Sequence, residues 1–244
     1  MSKEVYHPDF DKPVLQEQYG MDGTLEQVTV SEYDDKGFLV REILKEADGA
    51  IMEEKSYEPD EKMRVAFEHL HYADGSRDTI TFTYDENGKV VRTQTVDADG
   101  DVEEVSEMTY HDGQLVHQVV KDGDDDVIEE HRYVYEDGLL LEAFHYNAQE
   151  NTSEKRVYEY DENGNRESVL VYDDADNLVE RFLFDNDDEG RPVKIIEENR
   201  QRKNTTHMRY EDHGNVGFQE TYDLKGNLVS RIDRVYSDDG RLLE

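Results

Sequence analysis

The sequence contains no cysteine, which excludes a disulfide framework and any thiolate metal site and leaves hydrophobic contacts and hydrogen bonds to hold the chain together. Apolar residues are also scarce. They make up 35% of the 244 residues against 36% charged, too few for a thick globular core and better suited to a thin, extended one. Basic residues are scarcer still, with 27 Lys and Arg facing 62 Asp and Glu for a formal charge of −35. A field of that sign repels phosphate backbones and anionic lipid, so neither nucleic acid nor membrane is an expected partner. The acidity reads first as a solvated coat that keeps an edge-rich sheet protein soluble. Beyond that it suits a basic partner, mimicry of nucleic acid, or adaptation to high salt. No apolar run opens the chain as a signal peptide would, and none nears the roughly 20 residues of a membrane-spanning helix. A cytoplasmic protein is therefore expected, with signal-independent export as the other route. Enzyme motifs are missing too: there is no Gly-Lys-Ser/Thr phosphate loop, no Gly-x-Ser-x-Gly elbow and no His-Glu-x-x-His.

What is present is regular. The chain has 16 Tyr and 8 Phe, too many aromatics for a disordered acidic segment. One series of turns reads Tyr-x-x-x-Gly, from Tyr33 to Gly37, Tyr84 to Gly88, Tyr160 to Gly164, Tyr210 to Gly214 and Tyr236 to Gly240. Tyr110 to Gly113 and Tyr135 to Gly138 are one residue shorter, Phe184 to Gly190 is longer, and Tyr57-Glu58-Pro59-Asp60-Glu61 is a turn without glycine. A second series runs half a period out of step through Gly23, Gly49, Gly75, Gly100 and Gly226, with Asn- or Asp-rich turns at 124–126, 147–151, 173–177 and 199–204. Both series span eight periods of about 25 residues, so each repeat is a hairpin. Asp-Gly, Asn-Gly and Asp-Asn supply the positive φ that tight reversals need. Turns every 12 to 13 residues leave about 17 strands between them and almost no room for helices.

Alternation supports the strands. Ile80, Phe82 and Tyr84 fall on one face and Thr79, Thr81 and Thr83 on the other, and Tyr158 with Tyr160, Phe182 with Phe184, and Met208 with Tyr210 repeat the pattern. Leu139, Leu140 and Leu141 blur it. The predicted fold is all-β: tandem hairpins forming one long, strongly curved antiparallel meander, spiral or barrel-like, because a flat ribbon would leave its tyrosine face bare. A single repeat domain over 1–244 is expected, with residues 1–18 as an N-terminal cap and about nine hairpin repeats over 19–242. The four residues after Gly240 give a half-length, charged last strand that guards an edge or receives a partner strand.

Tyr84-Asp85-Glu86-Asn87-Gly88-Lys89-Val90, Tyr160-Asp161-Glu162-Asn163-Gly164-Asn165 and Tyr222-Asp223-Leu224-Lys225-Gly226-Asn227-Leu228 resemble the YD repeat of the RHS family, whose core is Tyr-Asp-x-x-Gly-Arg-Leu. The likeness runs from about residue 19 to 242. It implies a spiralling β-sheet that, in the large members, forms a shell around a toxic C-terminal domain or an array at the cell surface. Unlike those members, this sequence shows no leader, no further C-terminal domain and no Asp-Pro-x-Gly motif after the repeats. Nine repeats are few for a closed cage.

Candidate chemistry is sparse. With 62 carboxylates, two lying close together do not make a hydrolytic pair, and no catalytic, cofactor-binding or metal residue is assigned. Asp185, Asp187, Glu189 and Gly190 approach a calcium loop, but its twelfth position is Ile196 and the carboxylate comes one place late at Glu197. If the turn near Asp124 is symmetric, His117 faces His131, with His145 diagonal to them, and His69 shares a face with His71. The expected role is that of a non-enzymatic repeat scaffold, its tyrosines filling an inner layer and its carboxylates coating the outer one, that presents a surface to a protein or glycan. The alternatives are an acidic immunity or accessory component of a bacterial toxin or secretion locus, and, less favoured, an enzyme with an interior site. Self-association edge to edge or face to face is a further expectation.

Overall fold

An aspartate and a left-handed residue define most reversals. In the turn after Tyr33, the Asp34 N–H donates to the Phe38 carbonyl at 2.9 Å and the Gly37 N–H donates back to the Asp34 carbonyl at 3.1 Å. The Asp34 carboxylate accepts from the N–H groups of Lys36 and Phe38. The same pattern recurs at Asp60, Asp97, Asp161, Asp173, Asp187 and Asp223, so a single side chain satisfies the amides that the reversal leaves without strand partners. These bonds hold the carboxylates of Asp161 and Asp173 below the usual range: for Asp161 the Asn165 side chain contributes most, for Asp173 the Asn177 N–H.

The fourth turn position has positive φ, which favours glycine. Turns that lack glycine there use Met63 (φ 62°), Asp125 (φ 68°), Asn151 (φ 49°) or Asp176 (φ 57°) instead. The two shorter turns are of another kind. Asp112 and Gly113 (φ 48° and 82°), like Asp137 and Gly138 (φ 49° and 84°), form two-residue loops with consecutive left-handed residues, the geometry that matches the twist of a hairpin.

The computed structural model describes residues 2–20, 22–237 and 242, and shows strands joined by turns. Nineteen strands form one antiparallel sheet in which hydrogen-bonded neighbours are consecutive in sequence. They are β1 (Ser2–Tyr6), β2 (Pro13–Tyr19), β3 (Leu25–Tyr33), β4 (Leu39–Glu46), β5 (Ile51–Pro59), β6 (Val65–His71), β7 (Arg77–Tyr84), β8 (Val90–Val96), β9 (Val102–His111) and β10 (Gln114–Asp122). There follow β11 (Val127–Glu136), β12 (Leu139–Asn147), β13 (Thr152–Tyr160), β14 (Arg166–Tyr172), β15 (Leu178–Asn186), β16 (Pro192–Asn199), β17 (Lys203–Tyr210), β18 (Val216–Tyr222) and β19 (Leu228–Asp233). The expected 17 strands between turns are β3 to β19. The segment read as a cap adds β1 and β2, itself a hairpin with Lys3 opposite Glu17. The last turn glycine, Gly240, lies outside the described residues, as does most of the half-strand after it; Leu242 forms a bridge with Tyr236.

Contacts divide the chain into two compact units, Met1–Thr109 with Gln118–Val127, and Tyr110–His117 with Ile128–Glu244. In the first, Thr83 pairs with Arg92 but Tyr84 with Val90, so one extra residue bulges from the second strand beside the turn. The same slip occurs at Tyr33. In the second unit it occurs at Tyr135, Tyr160 and Tyr210. The bulge explains why Leu139-Leu140-Leu141 breaks the alternation: Tyr135 pairs with Leu140 and Val134 with Glu142, leaving Leu141 as the extra residue.

The second unit gathers apolar side chains on one face in the row Tyr158, Val169, Phe182. Its other face is not simply wet, because Leu170 pairs with Val157 and Leu183 with Ile196. Burial is correspondingly thin. Among the described residues the buried hydrophobic side chains are Ile43, Val120, Val169 and Val171.

Tyrosine hydroxyls join successive hairpins. Tyr84 Oη donates to the Val65 carbonyl at 2.7 Å in the first unit. In the second, Tyr210 Oη donates to the Pro192 carbonyl at 2.9 Å and Tyr160 Oη to the Leu140 carbonyl at 2.8 Å. At two of these landing points a cation precedes the acceptor and covers the ring: Arg64 lies 4.0 Å from the centre of the Tyr84 ring, and Arg191 4.6 Å from that of Tyr210, whereas Leu139 precedes the acceptor of Tyr160. Each arginine is itself held by its turn aspartate, Asp60 or Asp187. Asn186 occupies the tyrosine slot of the turn read from sequence as long, pairing with Pro192 and donating to the Arg166 carbonyl at 2.9 Å. That turn, Asp187 to Gly190, has the ordinary length, and Phe184 lies two residues back along the strand.

Candidate functional site

Alternation on a strand puts residues i and i+2 on one face, and pairing adds the residues opposite them. In the first unit this brings His69 and His71 of β6 beside Ser56 and Glu58 of β5 and Thr79 of β7. His69 is 5% exposed, with one ring nitrogen 3.0 Å from Thr79 Oγ1 and the other 3.1 Å from Glu58 Oε1. His71 Nε2 lies 2.8 Å from Ser56 Oγ. Ser56 and His71 thus stand as a nucleophile and a base would. Ser56 lies in an interior strand with Arg41 on one side and His69 on the other, so the ladder on both flanks engages the neighbouring amides that would have to stabilise an oxyanion. The shared face of His69 and His71 was legible from their spacing; the serine and glutamate were not, because they enter through register.

The second unit carries a different cluster. His131 of β11 is directly opposite His145 of β12, their rings stacked with centroids 4.5 Å apart and planes 10° apart. Glu129, two residues before His131, brings Oε2 to 3.6 Å from His131 Nε2. One ligand atom from each of these three residues lies within 4.8 Å of the others, so the trio is able to hold a metal ion. His117, expected opposite His131, instead places Nε2 2.9 Å from Glu130 Oε1. The expected pairing assumed a symmetric turn, whereas this five-residue turn type carries a one-residue bulge in the hairpins described above, and a one-residue slip moves a side chain to the other face.

Comparisons with known proteins enter here. No family model matches the chain, and no curated protein matches its sequence. Solved structures similar to it include TcdB2-TccC3 without the hypervariable C-terminal region, at 13% identity and a TM-score of 0.44 over 99% of this chain and 16% of that one. TcdB2-TccC3-Cdc42 matches at 12% identity and a TM-score of 0.35, over 96% of this chain and 17% of that one. A porin-like protein from Bacteroides uniformis matches at 11% identity and a TM-score of 0.38, over 91% and 92% of the two chains. The chain spans about a sixth of the length of the first two. These scores decide neither family nor function, and the functional reading rests on the residues.

Carboxylates dominate what remains. The calcium-loop-like stretch turns toward the chain's own cations: Asp187 holds Arg191, and Asp185 Oδ2 accepts from Lys194 Nζ at 2.8 Å. Beside it lies a depression of about 730 Å³ lined by Asp161, Glu167, Asp185, Asp187, Asp188 and Glu189. In the first unit, Arg41 bridges Glu32 and Glu54, and Lys55 bridges Glu53 and Glu68. Nearby Tyr57 is pushed up to about 12, by burial first and then by the charges of Glu68 and Glu42.

Proposed function

We propose that the chain is a non-enzymatic repeat scaffold that binds a basic protein through its acidic surface. The observation that carries this reading is the surplus of carboxylates after internal pairing. Even if each of the 27 Lys and Arg residues neutralised one partner, 62 − 27 = 35 carboxylates would stay uncompensated. The bridging arginines and lysines already spend their charge inside the sheet, so the exposed surface offers acceptors and few donors. The depression between the turns at 161–165 and 187–190 gathers six carboxylates, of which Asp185, Asp187 and Glu189 meet Lys194 or Arg191, so that Asp161, Glu167 and Asp188 carry its surplus charge toward lysine or arginine side chains. The half-buried Ser56 and His71 pair, whose neighbouring amides are engaged in the ladder on both flanks, fits the non-enzymatic reading better than that of a nucleophile and its base.

The test is binding of a lysine- and arginine-rich protein probe across a salt series. Affinity should fall steeply as salt rises, and Asp188→Asn with Glu189→Gln should weaken it more than removal of two charges elsewhere, at Glu103→Gln with Glu104→Gln. Equal losses for the two double variants would reduce the effect to bulk charge. Salt-insensitive capture of a neutral glycan would replace the reading with stacking on tyrosines.

A further inference from the structure

We propose that Glu129, His131 and His145 form a binding site for a borderline divalent transition ion of the zinc, nickel or copper class. The hairpin of β11 and β12 preorganises it. His131 and His145 are paired residues of neighbouring strands, so the backbone ladder fixes the separation of their Cα atoms before any ion arrives. Glu129 shares the face of His131 and is already at chelating distance: two ligands each about 2.1 Å from one ion, at angles between tetrahedral and trigonal, stand about 3.4 to 3.6 Å apart. The observed 3.6 Å between Glu129 Oε2 and His131 Nε2 fits that range. The rings of His131 and His145 are stacked, which points their in-plane lone pairs along parallel lines, so chelation requires the exposed His145 ring to turn out of the stack and bring its nitrogen, within the 4.8 Å envelope of the trio, onto the ion.

Supporting contacts orient the ligands. Asn147, opposite Glu129 in the ladder, donates its Nδ2 to Glu129 Oε1 at 3.4 Å, leaving Oε2 for the ion. Tyr133 stacks on the far side of His131, with ring planes 8° apart. Glu154 faces His145 across the next pair but is engaged by Arg156 Nε at 2.6 Å. The remaining coordination positions open into a depression of about 240 Å³ lined by His131, Tyr133, His145 and Glu154, so water completes the shell. Two imidazoles and one carboxylate select borderline ions over calcium and magnesium, which take oxygen shells, and the chain has no cysteine to favour a soft ion. The site is independent of the acidic depression proposed to bind protein.

The test is a titration of the intact chain with zinc chloride at pH 7.5 in a large excess of magnesium, which saturates the nonspecific carboxylates. One saturable zinc equivalent is expected. His131→Ala and His145→Ala should each weaken it roughly tenfold or more, Glu129→Gln should weaken it measurably, and His117→Ala should leave it unchanged. Copper loaded at one equivalent should give an electron paramagnetic resonance spectrum with two nitrogen ligands, reduced to one in His145→Ala, whose exposed position leaves the fold intact. No saturable site above the magnesium background, or equal zinc affinity in the wild type and both histidine variants, overturns the proposal.

Discussion

At the residue scale, the turns show what one backbone angle costs. Met63 takes the left-handed slot that glycine fills in the sister turns, and it is 38% exposed, so its side chain repays little of the strain. A non-glycine residue there loses about 1 to 2 kcal/mol, whereas glycine gives back roughly 0.5 to 1 kcal/mol through its freer unfolded state. Met63→Gly should therefore stabilise the first unit by about 0.5 to 1 kcal/mol, read as a higher urea midpoint at unchanged slope. A lower midpoint would mean that the methionine side chain contributes packing outweighing the strain. Gly123 shows the opposite case. Its neighbour Asp125 carries the positive φ, while a Cβ on Gly123 would stand 2.0 Å from the Val102 carbonyl oxygen, so glycine is kept there for close approach.

At the scale of elements, the hairpin is stable only when clasped to its neighbour. Few side chains are fully buried, so hydroxyl-to-carbonyl bonds and cations lying over rings carry more of the coupling than they would in a thick core. Tyr84→Phe deletes the bond to the Val65 carbonyl and should cost about 1 kcal/mol in a denaturant melt. Tyr222→Phe should shift the midpoint markedly less, because its hydroxyl meets Glu220 of the same strand at 2.7 Å and joins no second hairpin. Equal shifts would show that the phenol tightens each strand rather than tying repeats together. The sequence made the elements readable, since Gly, Asn and Asp announce turns and β3 to β19 lie between them. It did not reveal the clasp, because Asn186 performs it where Phe184 looked like the tyrosine equivalent. Nor did it reveal the histidine pair, because a bulge adds a residue that carries no compositional mark, and that one residue decides which ring meets His131.

At the scale of the whole molecule, two electrostatic effects of opposite sign meet. Internal ion pairs such as Arg181 with Glu198 stabilise the fold, but exposed pairs contribute about 0 to 1 kcal/mol each and weaken with salt. A net charge of −35 repels itself throughout the compact state, and salt weakens that repulsion too. Repulsion has the larger number of terms, because uncompensated carboxylates outnumber all the cations. The thermal midpoint at pH 7 should accordingly rise between low salt and about 0.5 M sodium chloride, as the Debye length falls below about 5 Å. Acid reverses the balance in a defined window. The turn carboxylates of Asp60, Asp85, Asp161 and Asp187 are held below their ordinary range by N–H and side-chain donors, so their contribution is full above the unfolded value, near 3.9, and is lost as pH falls through their folded values. Protonation of the other carboxylates over the same range removes the repulsion that salt was screening. Salt should therefore raise the midpoint strongly at pH 7 and hardly at all at pH 3.5, while Asp161→Asn, which keeps an acceptor oxygen and removes the charge, should flatten part of the acid loss. A midpoint that falls with salt at pH 7 would show that the internal pairs outweigh the surplus. The carboxylates would then be structural ligands of the sheet's own arginines and lysines, and the acidic surface would lose its claim to a basic partner.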